Sequence, residues 1–246
     1  MVTGRRCGFI ILTAIIIAII IILIGYFCKN KNTLTNNNYL NKATPIVSTI
    51  DGKEYKVHQN LDNPQSAANI LAIINETIIK LLTYLKYKYN ASFNRQPLVS
   101  NAGLDLFSNT NINQHPLSSR VTAVHKILSR YNPDNLIENS PLDTKGDTSY
   151  TMDKGSIIAF CLRDKNETHS LHNLPMLLFV AIHELAHVAI DDNDHPPVFW
   201  ETFKWLLLEA EEAGIYQSPN FANTPYDYCG MNVDYNPRFD NSVNGI

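Results

Sequence analysis

Residues 173–200 read NLPMLLFVAIHELAHVAIDDNDHPPVFW, and at their centre stands His183-Glu184-Leu185-Ala186-His187. The residues before it, Met176 to Ile182, are apolar without a Gly or Pro. Asn173 is a good N-cap, and Pro175 falls in the first turn, where a missing N–H costs nothing. The stretch therefore predicts a buried helix. On a helix, His183 and His187 stand one turn apart on one face, the relation in which two imidazoles bind one zinc ion. Glu184 then lies beside the metal, where it can take a proton from zinc-activated water and later pass it to a leaving amine. Burying two His and a Glu in an apolar helix without partners would be costly. A pair of core histidines with Glu184 turned to solvent is the structural alternative.

A catalytic zinc usually takes three protein ligands and keeps one position for water. After His187 the polar run Asp191-Asp192-Asn193-Asp194 ends the helix and lets the chain turn back. That makes His195 the expected third ligand. Asp191, Asp192 or Asp194 in the loop, or Glu201 or Glu209 on the next helix, are the rivals. A metzincin would need Gly at Ile190 and His at Asn193, so that pattern is excluded.

HELAH, a short loop, then His195 with Phe199 and Trp200 beyond it resemble the WLM and SprT-like zinc metallopeptidases, over roughly residues 150–213. The resemblance implies an α+β, compact zincin-like catalytic domain: a small sheet packed on the HExxH helix, one Zn2+ ion, peptide-bond hydrolysis, and an edge strand that pairs with an extended peptide. The chain also resembles membrane-anchored metallopeptidase-like proteins of large DNA viruses, and its Asn-, Ile- and Tyr-rich composition suits such a genome. Many zincins place a Tyr or His opposite the metal to stabilise the oxyanion. Tyr228 is the candidate here, as a second catalytic residue beside Glu184.

Towards the N-terminus, Gly8 to Cys28 (GFIILTAIIIAIIIILIGYFC) is almost wholly apolar and preceded by Arg5 and Arg6. At about 1.5 Å per residue it spans the roughly 30 Å hydrocarbon core. It lacks a small-residue cleavage site. Residues 1–31 therefore read as an uncleaved, single-pass anchor that meets the bilayer through residues 8–28. The flanking charge leans towards a cytosolic N-terminus and a lumenal or external catalytic domain, or a place in a virion membrane. Cys7 and Cys28 flank the segment and are open to acylation. Residues 32–45 are a polar, Asn-rich stalk, and 46–246 form the catalytic domain. Thr49 to Val57 predicts two short strands around an Asp51-Gly52 turn.

Asn63 and Pro64 open a long helix with Ala67, Leu71, Ile74, Ile78, Leu81 and Leu85 at helical spacing. A second helix is expected over Leu117–Tyr131. Ser149–Gly155 leads into Ser156–Arg163, a strong strand signal, and the resemblance makes this the substrate-pairing edge strand. Pro196-Pro197 starts a helix whose apolar face is Phe199, Trp200, Phe203, Leu206, Leu207 and Ala210, with Glu201, Glu209, Glu211 and Glu212 mostly towards solvent. Gly214 stops it. Residues 215–246 show little periodicity. His58, His115 and His125 lack partner spacing, and His169 and His172 are not expected to be ligands.

The chain has 246 residues and a net charge of −3. That balance argues against a nucleic-acid partner, although WLM and SprT-like proteins include proteases of DNA-bound proteins. Four Cys are present. Cys161 and Cys229 could pair in an oxidising space, or Cys161 could stay a free core thiol. Sequons at Asn75, Asn90 and Asn166 matter only if the domain is lumenal, and Asn75 falls in a helix. The leading expectation is a membrane-anchored zinc metallopeptidase acting on protein or peptide. The alternative is a catalytically idle zincin-fold membrane or virion envelope protein with structural zinc.

Overall fold

The computed structural model describes residues 43–93, 116–140, 148–165 and 168–246. The expected anchor and most of the stalk lie outside these residues, as do His115 and the Asn166 sequon. Residues 43–246 form one compact unit.

The chain enters through strand β1 (Thr44–Val47), which pairs antiparallel with β2 (Glu54–Val57). The expected turn at Asp51-Gly52 is present, with Gly52 in the left-handed region at φ 72°. The first strand lies earlier than Thr49, however, and begins inside the stretch expected to be stalk. Ser48 closes the turn instead of pairing further, receiving Gly52 N–H at 3.1 Å and donating its hydroxyl to Asn69.

Helix α1 (Pro64–Phe93) follows. Its buried stripe holds Ala67, Leu71, Ile74, Ile78, Leu81 and Leu85, the predicted period. Pro64–Tyr89 is long and apolar enough to cross a membrane by length and composition. Half of its most apolar window is buried within the protein, and it packs on β1, β2, β3 and the other helices. The Asn75 sequon faces inward: Asn75 is 1% exposed and hydrogen-bonds the hydroxyls of Tyr55 and Tyr131. Helix α2 (Pro116–Arg130) comes next.

Strands β3 (Leu136–Glu138), β4 (Tyr150–Met152) and β5 (Ile157–Phe160) complete a five-stranded mixed sheet in the order β1-β2-β3-β5-β4. β3 runs parallel to both β2 and β5, and the helical crossover α1–α2 supplies the long connection that parallel pairing needs. The expected edge strand is corrected here. β5 is interior, and β4, antiparallel to it, is the edge. Ile157–Phe160 is an unbroken apolar run buried on both faces, the mark of an inner strand. Tyr150–Met152 is half-buried throughout. Between them Gly155 turns at φ 116°, where a Cβ would stand 3.0 Å from the Arg130 carbonyl oxygen.

Helix α3 (Leu174–Ala189) is the central element, packed on α1, α2, β4, β5 and helix α4 (Pro197–Glu212). The Asn173 side chain accepts from Met176 N–H at 3.0 Å, and Pro175 sits in the first turn, as the sequence predicts. Its far end is capped from α2: Arg130 donates to the carbonyls of Val188 and Ile190. The chain then forms a hairpin of β6 (Tyr226–Tyr228) and β7 (Met231–Val233) within the tail read as irregular. Its two turn residues, Cys229 at φ 53° and Gly230 at φ 80°, are both left-handed, as a two-residue hairpin turn requires.

Candidate metal centre

Helix α3 projects His183 and His187 from one face, and the loop after it brings His195 back over them. Asp194, at φ 59°, makes the sharp reversal. The three imidazoles place one nitrogen each within 4.8 Å of the others. Nε2 of His195 and Nε2 of His183 are 3.1 Å apart. Two nitrogens held at ~2.0–2.1 Å on a tetrahedral zinc ion would be about 3.3 Å apart, so this donor set fits one such ion. Burial, and then its neighbours His187 and His195, hold His183 well below the usual imidazole range. Burial and then the His195 charge push His187 down to about 4. His195 is lowered too, chiefly by burial. All three are therefore neutral at physiological pH, the form that ligates metal.

Phe199, fully buried at the start of α4, packs its ring 4.4 Å from His187, 4.5 Å from His195 and 4.8 Å from His183. This aromatic floor explains why a large apolar residue follows His195: it shields the imidazoles and fixes their planes. Trp200 stacks on the outer side of His195 at 5.6 Å.

The rival ligands are engaged elsewhere or stand outside the cluster. Asp191 is paired with Arg130 and Lys126 at 2.6 and 2.7 Å, and those hydrogen bonds push its carboxyl down to about 2. Glu209 was expected towards solvent but is 3% exposed. It accepts from Trp205 Nε1, Tyr89 and Lys88, an arrangement that only the contact between α1 and α4 creates. Asp192 and Glu201 are outside the histidine cluster, as is Asp194, although Asp194 lines the cleft.

Glu184 is 2% exposed and lies in the wall of the cleft that contains the histidines. The Thr151 hydroxyl on β4 donates to its Oε2 at 2.8 Å. The cleft, about 1210 Å³, runs between β4, α3 and the β6–β7 hairpin. Tyr228 stands on the hairpin side. It is buried, its hydroxyl is 2.6 Å from Ser149 Oγ, and burial raises its phenol pKa, with the charge of Glu184 adding to the effect. Sequence reading passed over Ser149 and Thr151. The only signal was their place in the run Ser149–Gly155 that leads into the strong strand.

Cys161 and Cys229 are joined in a disulfide. It fastens the hairpin turn beside Tyr228 to the end of β5. His172, not expected to be a ligand, is buried there with Nε2 3.3 Å from Cys229 Sγ and its ring 4.9 Å from Tyr228. These three residues also bring their donor atoms within 4.8 Å of one another. Bonded sulfurs carry no thiolate charge, so in this state they are not metal donors.

No family model matches the chain, and no solved structure does. The chain is 35% identical over 91 residues, 37% of its length and 50% of the other's, to "Uncharacterized protein 136R" of Invertebrate iridescent virus 6. It is 32% identical over 225 residues, 92% of its length and 95% of the other's, to "Uncharacterized protein R325" of Acanthamoeba polyphaga mimivirus. At that identity and coverage, the chain belongs to the family of this mimivirus protein.

Proposed function

We propose that the protein is a zinc-dependent metallopeptidase. The observation that carries this reading is the meeting of three neutral imidazoles beside a buried glutamate at the wall of a long cleft. The likeness of HELAH, His195 and the aromatics after it to WLM and SprT-like mini-zincins supports it. So does an edge strand bordering the cleft, since an extended peptide can add to such an edge through its main chain.

His183, His187 and His195 would hold the ion, which when bound supplies Lewis acidity and brings the pKa of water near neutrality. Glu184 takes one proton as the water oxygen bonds to the peptide carbonyl carbon. It returns that proton to the nitrogen as the C–N bond breaks, and the proton left on the new carboxyl group passes to the freed amine. The Tyr228–Ser149 pair would face the oxygen that becomes negative, as an oxyanion donor. Residues 8–28 anchor the enzyme in a membrane with the catalytic unit on the oxidising side, a placement that the Cys161–Cys229 disulfide favours. Protein or peptide is the substrate, and a net charge of −3 gives no footprint for nucleic acid.

The test uses the full-length chain in detergent. Metal analysis should find one zinc, strongly weakened in His195→Ala. Turnover of a quenched-fluorescent peptide library should be abolished in Glu184→Gln while its zinc stays bound. Unchanged cleavage by Glu184→Gln, or a wild-type protein that takes up no zinc, sinks the reading.

A further inference from the structure

Thr151 in edge strand β4 and Ser149, the residue just before that strand, carry hydroxyls that meet Glu184 and Tyr228 in the wall of the cleft. Thr151 Oγ1 is 2.8 Å from Glu184 Oε2 and 3.4 Å from the Glu184 carbonyl oxygen, so its one proton goes to the carboxylate. That bond fixes the Oε2 side of Glu184 and thereby the direction of Oε1. Two residues earlier, Ser149 Oγ accepts the Cys161 N–H at 3.0 Å and lies 2.6 Å from Tyr228 Oη. The Ser149–Tyr228 pair has two hydroxyl protons and one bond between them. Whichever oxygen donates, one proton is left for a third atom, and both residues line the cleft.

We propose that Ser149 and Thr151 are the positioning residues of this site. Thr151 aims Glu184 and Ser149 aims Tyr228, so the strand that borders bound substrate, with the residue leading into it, also sets both side chains. This rests on the peptidase reading. The arrangement has a mechanical logic. Thr151 lies within β4, and Ser149, one residue before that strand, is held to the end of β5 by the Cys161 amide, so a substrate paired to the β4 backbone lies beside the base and the oxyanion donor together. The Cys161–Cys229 disulfide serves the same end, since it ties the amide that holds Ser149 and the turn that follows Tyr228 into one unit.

The experiment measures kcat and KM of the full-length, zinc-loaded protein on one peptide selected from the library. The variants are Thr151→Val, Thr151→Ser, Ser149→Ala, Tyr228→Phe and the double variant Ser149→Ala/Tyr228→Phe. Losing a hydrogen bond to a charged group should lower kcat of Thr151→Val roughly ten- to a hundredfold. KM and zinc content should stay at wild-type values, and Thr151→Ser should recover most of the rate. Ser149→Ala should slow kcat, and the double variant should be no slower than Tyr228→Phe alone, because the two act as one unit. Thr151→Val with wild-type kcat, Thr151→Ser as slow as Thr151→Val, or independent multiplying losses at Ser149 and Tyr228 would overturn the inference while leaving the peptidase reading intact. A zinc-loaded wild type that cleaves no member of the library overturns the peptidase reading and this inference with it.

Discussion

Removing the Cys161–Cys229 disulfide should cost a large part of the stability of the folded unit. The bond closes a loop of sequence separation 68, and that loop contains all of α3, all of α4 and the three clustered histidines. In the chain-entropy treatment, a cross-link over a loop of this length removes about 4 kcal/mol of conformational freedom from the unfolded chain. Against a typical total of about 5–15 kcal/mol, that is a substantial fraction. For a unit of roughly 200 residues it corresponds to a fall in Tm of about 10 °C. Both sulfurs are buried, with Cys161 at 0% and Cys229 at 2% exposure, so the replacement should be apolar. The double variant Cys161→Ala/Cys229→Ala in the full-length protein, compared with wild type with and without reductant, is the assay. Denaturant midpoints and thermal melts give the stability, and thiol titration of the denatured protein gives the redox state. Hydrogen exchange over residues 226–235 should rise in the variant, because the hairpin turn loses its fastening to β5. A loss below about 1 kcal/mol, or two titratable thiols at these positions in protein made in an oxidising compartment, would refute the reasoning.

Two further outcomes follow from buried charge. Arg163 and Glu138 form an ion pair at 2.7 Å with side chains 1% and 0% exposed, and Glu138 also receives the His58 N–H. Glu138→Ala strands a guanidinium in the interior and should destabilise by about 3–5 kcal/mol in urea unfolding; a change under 1 kcal/mol would show that Arg163 escapes to solvent. The metal-free protein should lose stability as pH falls from about 6.5 towards 4. His183 and His187 have folded pKa values below the ordinary 6.5, so in that window the unfolded chain binds more protons. Tm measured with chelator across this range should therefore drop on acidification, and a flat profile would contradict the burial of these imidazoles.

Much of helix α3 was legible because its signals are local. Asn173, Pro175 and the apolar run before His183 specify a capped, buried helix through contacts within four residues. The spacing of His183 and His187 then follows from 3.6 residues per turn. Helices α1 and α4 were legible for the same reason. The strands were harder. Tyr150–Met152 and Ile157–Phe160 are both short and lie in one continuous strand signal, yet the first is the edge and the second, the unbroken apolar run, is the interior of the sheet. β5 becomes interior only because β3, 22 residues upstream in register, pairs with its other side. Glu209 was misplaced on the same grounds: its helix face reads as solvent until Tyr89 and Lys88 of α1 pack over it.

By itself the sequence determined the elements whose hydrogen bonds close within a few residues, and with them the two histidines and the glutamate that one helix must present together. It also determined that the following loop could return a third histidine. Tertiary structure decided which groups surround them: the Phe199 ring under the imidazoles, the Thr151 hydroxyl on Glu184, the Ser149–Tyr228 pair, and the union of Cys161 with Cys229. Apart from Phe199 on His195, four residues away, these join residues 12 to 79 positions apart. Such meetings depend on strand order and helix packing, and no periodicity in a single segment encodes them.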